Sequence, residues 1–288
     1  HLLGLAVCAM TPTAQNDEGW FRRETIVRAS AHVPRENATP LVVDLASLWA
    51  GPLCAHLLQM LGARVIKVES TQRPDGARFG EASFYNVLNA NKESVALDLN
   101  SDGGRAQLRQ LLLHADIVIE ASRPRALRHM NIVAEEIIAQ NPALTWISIT
   151  GYGRAEPQAN WVAFGDDAGV AAGLSQMLFD ITGEAMFCGD AIADPLTGMH
   201  AALAAWAGYL RGGGDLISLS LRDVVRHCMH AGGALDAQSL RDRYRDWMAV
   251  LETSGERISP PRARVPVAAA RSFGIDTPAV LAEFGIAC

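Results

Sequence analysis

The 288-residue sequence lacks a long apolar run and an excess of basic charge. Its longest apolar stretch, residues 201–210, lies between His200 and Arg211 and is well short of the roughly 20 residues that a membrane span requires. Lys and Arg total 25 against 31 Asp and Glu, which gives a net charge of −6 and argues against unaided nucleic-acid binding. We therefore expect neither a membrane span nor a nucleic-acid partner.

The sequence also lacks an even, closely spaced set of cysteines. The five cysteines are scattered along the chain, mostly in apolar surroundings, at Cys8, Cys54, Cys188, Cys228 and Cys288. An odd number at wide spacing favours reduced thiols over a disulfide framework. This pattern predicts a cytoplasmic protein.

Three common catalytic or cofactor motifs are missing. The turn before the first predicted helix holds only Gly51, whereas a dinucleotide-binding turn carries G-x-G-x-x-G. No G-x-S-x-G sequence is present, which disfavours serine hydrolase chemistry. His227 and His230 have helical spacing but no obvious third ligand, and catalytic zinc needs three. We predict no metal site.

From residue 41 onward, short aliphatic runs alternate with amphipathic stretches, the pattern of βαβ units in a largely parallel sheet. The predicted strands are Leu41–Leu45, Arg64–Glu69, Ser94–Leu99, Asp116–Glu120, Thr145–Thr150 and Leu216–Leu221. Between the first two, a helix has Pro52 near its start and Gly62 as its stop. The fold class is therefore α/β, with a Rossmann-like parallel sheet flanked by helices.

Charged residues follow several of these strands. The cations Lys92, Arg123, Arg125 and Arg128 either converge on one anionic ligand or are ordinary surface charge. Acidic residues cluster after the loop 151–164, and each is a candidate nucleophile or helix N-cap. They are Asp166, Asp167, Asp180, Glu184, Asp190 and Asp194.

Several segments, in their order and spacing, resemble the family III CoA-transferases, a superfamily that includes formyl-CoA transferase, carnitine CoA-transferase and alpha-methylacyl-CoA racemase. The stretch 61–69, Leu-Gly-Ala-Arg-Val-Ile-Lys-Val-Glu, is the most recognisable part. The similarity continues through 89–98, 115–124, 141–153 and 194–199, covers residues 40–224 and has a weaker echo at 273–281.

This resemblance implies a Rossmann-like large domain in an interlocked homodimer, with acyl-CoA and a small carboxylate as substrates and no metal. By position, Ala50 and Gly51 lie near CoA. The positions expected to meet its adenosine diphosphate end, or to bind nearby, are Lys92, Ala121, Ser122, Arg123, Arg125 and His129.

The resemblance also implies an aspartate that attacks the acyl thioester and carries CoA as a covalent intermediate. An ungapped alignment places Thr182 at that position, and a shift of two residues brings in Asp180, our candidate nucleophile. A racemase needs a His in the segment before Asp166, paired with the aspartate that corresponds to Asp194. That His is absent, although Asp166 or Asp167 is an alternative base.

The predicted domain organisation departs from that of the family. We divide the chain into an N-terminal segment (1–38), a Rossmann-like CoA-binding large domain (39–234) and a helical and extended return segment (235–288). Residues 3–10 look like the end of a small domain placed ahead of the large one, so the small domain is reduced or displaced. Three functions stay open: CoA transfer, acyl-CoA racemisation or isomerisation, and a non-catalytic CoA-binding or dimerisation scaffold.

Overall fold

The structure is a computed structural model that describes residues 4–10, 19–28, 39–231, 236–255, 257, 259–260 and 262–287. Its described strands are β1 (Phe21–Thr25), β2 (Leu41–Asp44), β3 (Arg64–Ser70), β4 (Glu93–Leu97), β5 (Ile117–Glu120), β6 (Thr145–Thr150) and β7 (Asp215–Ser220). They form one sheet in the order β1-β7-β6-β5-β2-β3-β4. All neighbours are parallel except β1, which pairs antiparallel with β7 at the edge.

Helices flank this sheet on both faces. In chain order, the helices before β6 are α1 (Ala50–Met60), α2 (Ala82–Asn89), α3 (Asp102–Leu113), α4 (Pro124–His129) and α5 (Ala134–Gln140). The helices after β6 are α6 (Gly165–Ala172), α7 (Leu174–Thr182), α8 (Ala193–Leu210), α9 (Leu221–Ala231), α10 (Ala237–Ser254) and α11 (Thr277–Glu283). None of the helices in the described part of the chain combines the length and apolar character needed to cross a membrane.

The core has two halves, one on each face of the sheet. Helices α1, α6, α8 and α9 pack on one face, and α3, α5 and α11 pack on the other. Strands β2 and β5 are buried along their whole length, as a parallel sheet covered on both faces requires. This arrangement confirms the predicted α/β class and Rossmann-like sheet.

Strand β1 was not predicted from the sequence. It belongs to the N-terminal segment 1–38, yet it is hydrogen-bonded to β7, so this part of the segment joins the sheet of the large domain. Its five residues are all exposed and include two arginines, so the alternation typical of a half-buried strand is absent. Residues 1–3, 11–18 and 29–38 of the predicted segment, and 232–235 around the second boundary, lie outside the described residues.

The return segment begins with helix α10, continues in extended form and ends in helix α11. Asp276 accepts a hydrogen bond from the Ser94 amide at 2.8 Å, which fixes α11 beside the edge strand β4. Further upstream, the Arg264 guanidinium donates to Nε2 of His56 in α1 at 2.6 Å. The segment therefore packs against two elements of the large domain.

Candidate active site at the strand switch point

The parallel sheet reverses its direction of growth between β2 and β5. The chain runs from β2 to β3 and β4 on one side, then returns to place β5 on the other side of β2. In open α/β sheets a ligand binds at such a switch point, outside the carboxyl ends of the strands. The turn after β2, which leads to Ala50 and Gly51, and the turn after β5, which holds Ala121, Ser122 and Arg123, meet at this place.

Two buried ion pairs hold the turn after β2. Nζ of Lys92 lies 2.9 Å from Asp44 Oδ2, and it also donates to the Pro52 carbonyl and to Oδ1 of Asn89. Nζ of Lys67 lies 2.9 Å from Asp75 Oδ2 and donates to the Ala46 carbonyl. The sequence interpretation of Lys92 as a CoA ligand does not fit this geometry, because Lys92 is only 2% exposed and already has three acceptors. We assign it a structural role.

Helix α1 begins very close to the preceding turn. A Cβ on Gly51 would lie 2.1 Å from the Ala46 Cβ, so a glycine is required for α1 to start there. Leu48, one residue before Trp49, has a positive φ of 69°, which is uncommon for a residue with a side chain. The main-chain amides of Ala50 and Gly51 are therefore held at the switch point by a strained, tightly packed turn.

Asp194, at the start of α8, is directed at this turn. Its carboxylate lies against Gly165, where an added Cβ would be 2.4 Å from Asp194 Oδ2. Burial raises the pKa of Asp194 to about 6, with a further increase from the Asp166 and Asp167 charges and an opposing effect of the backbone amides of Ala50 and Gly165. The backbone of Ala50, a sequence-predicted residue, is thus close enough to Asp194 to affect its pKa.

Asp166 and Asp167 lie at the first turn of α6 and have local partners. Oδ1 of Asp166 accepts from the Ala191 amide at 2.8 Å, and Ala191 itself has a positive φ of 46°. Asp167 accepts from the Phe164 amide at 2.6 Å and from the Tyr152 hydroxyl at 2.8 Å. Asp166 therefore orders the turn that leads to Asp194, and Asp167 orders the segment that precedes α6.

The turn after β5 is held by Glu120. Its Oε2 accepts from both the amide and the hydroxyl of Ser122 at 3.0 Å, and its Oε1 accepts from the Ser148 hydroxyl at 2.5 Å. Burial raises the pKa of Glu120 despite these hydrogen bonds. Ser122 is half-buried, whereas the predicted binding residues Ala121, Arg123, Arg125 and His129 are exposed on the turn and on α4.

Asp180 lies elsewhere. It is exposed near the end of α7, a helix that packs against α6, α9 and α10. Its carboxylate accepts from the Gln176 amide at 2.8 Å, and its carbonyl accepts from Arg241. Thr182, at the end of the same helix, uses its hydroxyl to contact the carbonyls of Leu178 and Glu184.

Sequence reasoning missed three contributors to this site. Gly165 and Tyr152 were part of recognised segments, but no local pattern indicated that they touch the aspartates. Glu120 ended a predicted strand, a position that indicates the site edge of a parallel sheet. Within the described residues, no group of three or more His, Cys, Asp or Glu side chains is arranged to hold a metal ion.

Comparisons with known proteins identify a family for this chain. The family model described as CoA-transferase family III matches residues 40–241. A formyl-CoA:oxalate CoA-transferase of Escherichia coli O6:H1 is 30% identical over 203 residues, which is 65% of this chain and 49% of the relative. The chain thus spans about half the length of the curated relatives that it matches.

Solved structures with a similar fold include two proteins. A hypothetical protein, Rv3272, from Mycobacterium tuberculosis is 26% identical with a TM-score of 0.63, covering 74% of this chain and 61% of that one. A CAIB/BAIF family protein from Brucella suis is 27% identical with a TM-score of 0.60, covering 80% of this chain and 60% of that one.

Proposed function

Because the chain belongs to CoA-transferase family III, we propose that it moves CoA from an acyl-CoA thioester to a small carboxylic acid through an aspartyl intermediate. The observation that carries this proposal is the position of Asp194, whose carboxylate lies against Gly165 at the start of α6, beside the switch point. We assign the nucleophile to Asp194 instead of Asp180. Asp180 is exposed on α7, which packs on other helices.

The chemistry begins with attack of an Asp194 oxygen on the acyl carbonyl carbon, which breaks the thioester and releases CoA thiolate. The thiolate attacks the carboxyl carbon of Asp194 in the resulting anhydride, releases the first carboxylate and leaves an aspartyl-CoA thioester. The acceptor carboxylate then attacks this thioester and expels CoA thiolate. Attack of that thiolate on the acceptor carbonyl gives the new acyl-CoA and restores Asp194.

Two backbone amides supply electrostatic stabilisation in this scheme. When CoA thiolate attacks the carboxyl carbon of Asp194, negative charge develops on the oxygen that remains bound to it. The amides of Ala50 and Gly165 lower the pKa of Asp194 and so favour negative charge there, and in this scheme they donate to that oxygen. Removal of one such donor typically costs about 10²–10³-fold in rate.

In this proposal, the remaining predicted residues form the surface that binds CoA. Gly51 and Ala50 face the thioester end, and Ala121, Ser122, Arg123, Arg125 and His129 receive the adenosine diphosphate end. Guanidinium groups suit this task because they bind phosphate with two parallel hydrogen bonds. We further propose a homodimer and a cytoplasmic location, as the sequence indicated.

Racemisation or isomerisation of an acyl-CoA is the second candidate, and one observation favours it. A carboxyl group with a pKa of about 6 is well matched to proton transfer near neutral pH, and Asp194 has such a pKa. In that reaction Asp194 removes or returns the proton next to the thioester carbonyl. Asp166 or Asp167 is the second base.

The test is incubation with a panel of acyl-CoAs, followed by hydroxylamine and peptide mass mapping. We expect a hydroxamate on Asp194 that D194N abolishes and D180N leaves intact. A hydroxamate on Asp180 would overturn the assignment to Asp194. Exchange of the alpha hydrogen with deuterated water, without any adduct, would support the racemase instead. Bound CoA with neither adduct nor exchange would indicate a scaffold.

A further inference from the structure

A cavity of about 320 Å³ lies between helices α7, α8, α9 and α10. Its walls are mainly apolar, with Leu174, Met177, Ile192, Leu196, Val225 and Met229 among them. Two cysteines, Cys188 and Cys228, also line it. Small-molecule sites are typically cavities of about 300–1,000 Å³ with apolar walls and a few polar groups.

This cavity is separate from the site at the switch point. Ile192, Leu196 and His200 are spaced four residues apart, so they share one face at the start of α8. Asp194 lies two residues from Ile192 and from Leu196, which places it on the opposite face at about 100° per residue. Asp194 contacts α1 and α6, whereas the cavity is bounded by α7, α9 and α10.

Cys228 is paired with an imidazole. Its Sγ lies 3.9 Å from Nε2 of His200, and the other ring nitrogen, Nδ1, lies 2.8 Å from the Leu196 carbonyl. A carbonyl only accepts, so Nδ1 carries the hydrogen in the neutral ring. Nε2 is therefore left as an acceptor that faces the thiol. A nucleophile beside a base, with the base oriented by a third group, is the arrangement used in covalent catalysis.

The environment keeps the thiol protonated until a base acts on it. Burial raises the pKa of the Cys228 thiol, so the neutral form is favoured at rest. His200 is the group within reach to take the proton, and its ring also packs against Trp20 and His227, with ring centroids 5.0 and 5.7 Å away. These contacts fix the imidazole in place.

We propose that Cys228 accepts an acyl group of medium chain length from an acyl-CoA, with His200 as the base and the apolar cavity as the acyl-chain site. The donor class is taken from the proposed function, on which this inference rests to that extent. Cys228 gives its proton to Nε2 of His200, and its sulfur bonds to the acyl carbonyl carbon. The bond to the CoA sulfur breaks, and the CoA thiolate receives the proton, so the products are S-acyl-Cys228 and free CoA.

The apolar walls set the expected preference for the acyl chain. An octanoyl chain brings several methylenes that gain by burial against these walls. An acetyl group buries few methylenes, so octanoyl-CoA is expected to label at least about tenfold faster than acetyl-CoA.

The experiment incubates the full chain with octanoyl- or acetyl-CoA and maps every cysteine peptide by mass. We expect octanoyl label on Cys228, lost in C228A and reduced at least about tenfold in H200N. Two matched controls are available: Cys188 lines the same cavity, and H227N removes the neighbouring imidazole. We expect little label on Cys188 and unchanged labelling of Cys228 in H227N.

Equal labelling of Cys228 and Cys188, or equal labelling of wild type and H200N, would overturn the inference. The inference would also be overturned if octanoyl-CoA left Cys228 unlabelled in protein whose melting temperature shows that it is folded. The outcome is independent of the proposed function, because D194N should lose CoA transfer and keep the label. Transfer without Cys228 label contradicts this inference alone, and Cys228 label without transfer contradicts the proposed function alone.

Discussion

Gly165 and Asp194 approach so closely that no side chain fits between them. A Cβ on Gly165 would lie 2.4 Å from Oδ2 of Asp194 and 2.3 Å from the Ala191 carbonyl oxygen. The amide of Gly165 also opposes the rise in the Asp194 pKa that burial causes. The absence of a side chain at Gly165 therefore lets the Asp194 carboxylate lie against the first turn of α6.

G165A should displace Asp194 and reduce CoA transfer about 10²-fold or more, the usual cost of misplacing a reacting group. The overlap should also lower the free energy of unfolding by about 1–3 kcal/mol. Steady-state kinetics and urea denaturation measure the two effects. G169A is the control on the same helix, because a Cβ there would meet only Ile192 Cγ2 at 3.4 Å. Wild-type activity in G165A would contradict the assigned role.

D194N should abolish transfer while stabilising the protein at pH 7.5 by on the order of 2 kcal/mol. The pKa of Asp194 is raised from 3.8 to about 6, so the folded state binds this proton more tightly than the unfolded state does. The contribution of Asp194 to stability is thus full below about pH 4 and is lost as the pH rises through 6. Urea denaturation of wild type and D194N from pH 4 to 8 tests this. Parallel pH profiles for the two proteins would contradict it.

K92M should lower the free energy of unfolding by about 3–5 kcal/mol, because it leaves the buried Asp44 carboxylate without its counter-ion. The double variant D44N/K92M should recover part of that loss. CoA affinity, measured by calorimetry on the folded fraction, should remain near the wild-type value. If K92M were stable but bound CoA much more weakly, the result would support a role for Lys92 in CoA binding.

R123A and R125A should weaken CoA binding by about tenfold each, with little effect on stability, because both side chains are exposed. The loss should shrink at high salt, which screens charges at the surface. Calorimetry at two salt concentrations measures this. R109A, on α3, is the control, because it removes an arginine away from the turn. If R109A weakened CoA binding equally, the result would argue against a binding role of the turn.

The free energy of unfolding should decrease less in H56Q than in the wild type as the pH falls. Burial, with the nearby charges of Arg264 and Lys92, lowers the pKa of His56 to about 4. The unfolded state therefore binds this proton more readily, and stability falls as the pH decreases from 6.5 toward 4. Glutamine keeps an acceptor for Arg264 and does not titrate. Thermal melts across this range should show a shallower slope for H56Q, and an unchanged slope would refute the assignment.

The parts of the fold that sequence could predict are those set by local patterns. Strands such as β2 (Leu41–Asp44) are short aliphatic runs that are recognisable in the sequence. Strand β1 was not predicted, because it forms by pairing with β7, which lies 190 residues later in the chain. No local pattern encodes that pairing.

The same distinction explains the site. Ala50 and Asp194 could be placed at a common site because each belongs to a recognisable segment. The ion pair of Lys92 could not be predicted, because the neighbours of Lys92 in the sequence do not show that Asp44, 48 residues earlier, is its partner. Burial decides between a ligand and a structural ion pair, and burial depends on tertiary packing.

Lys67 and Lys92 are the only lysines in the 288-residue sequence, and they are 1% and 2% exposed. The folded protein thus offers solvent no accessible lysine ε-amine. Amine-reactive dyes and cross-linkers, and proteases that cleave after lysine, will find these two sites only when the sheet opens. Lysine modification therefore provides a built-in reporter of unfolding at the centre of the molecule.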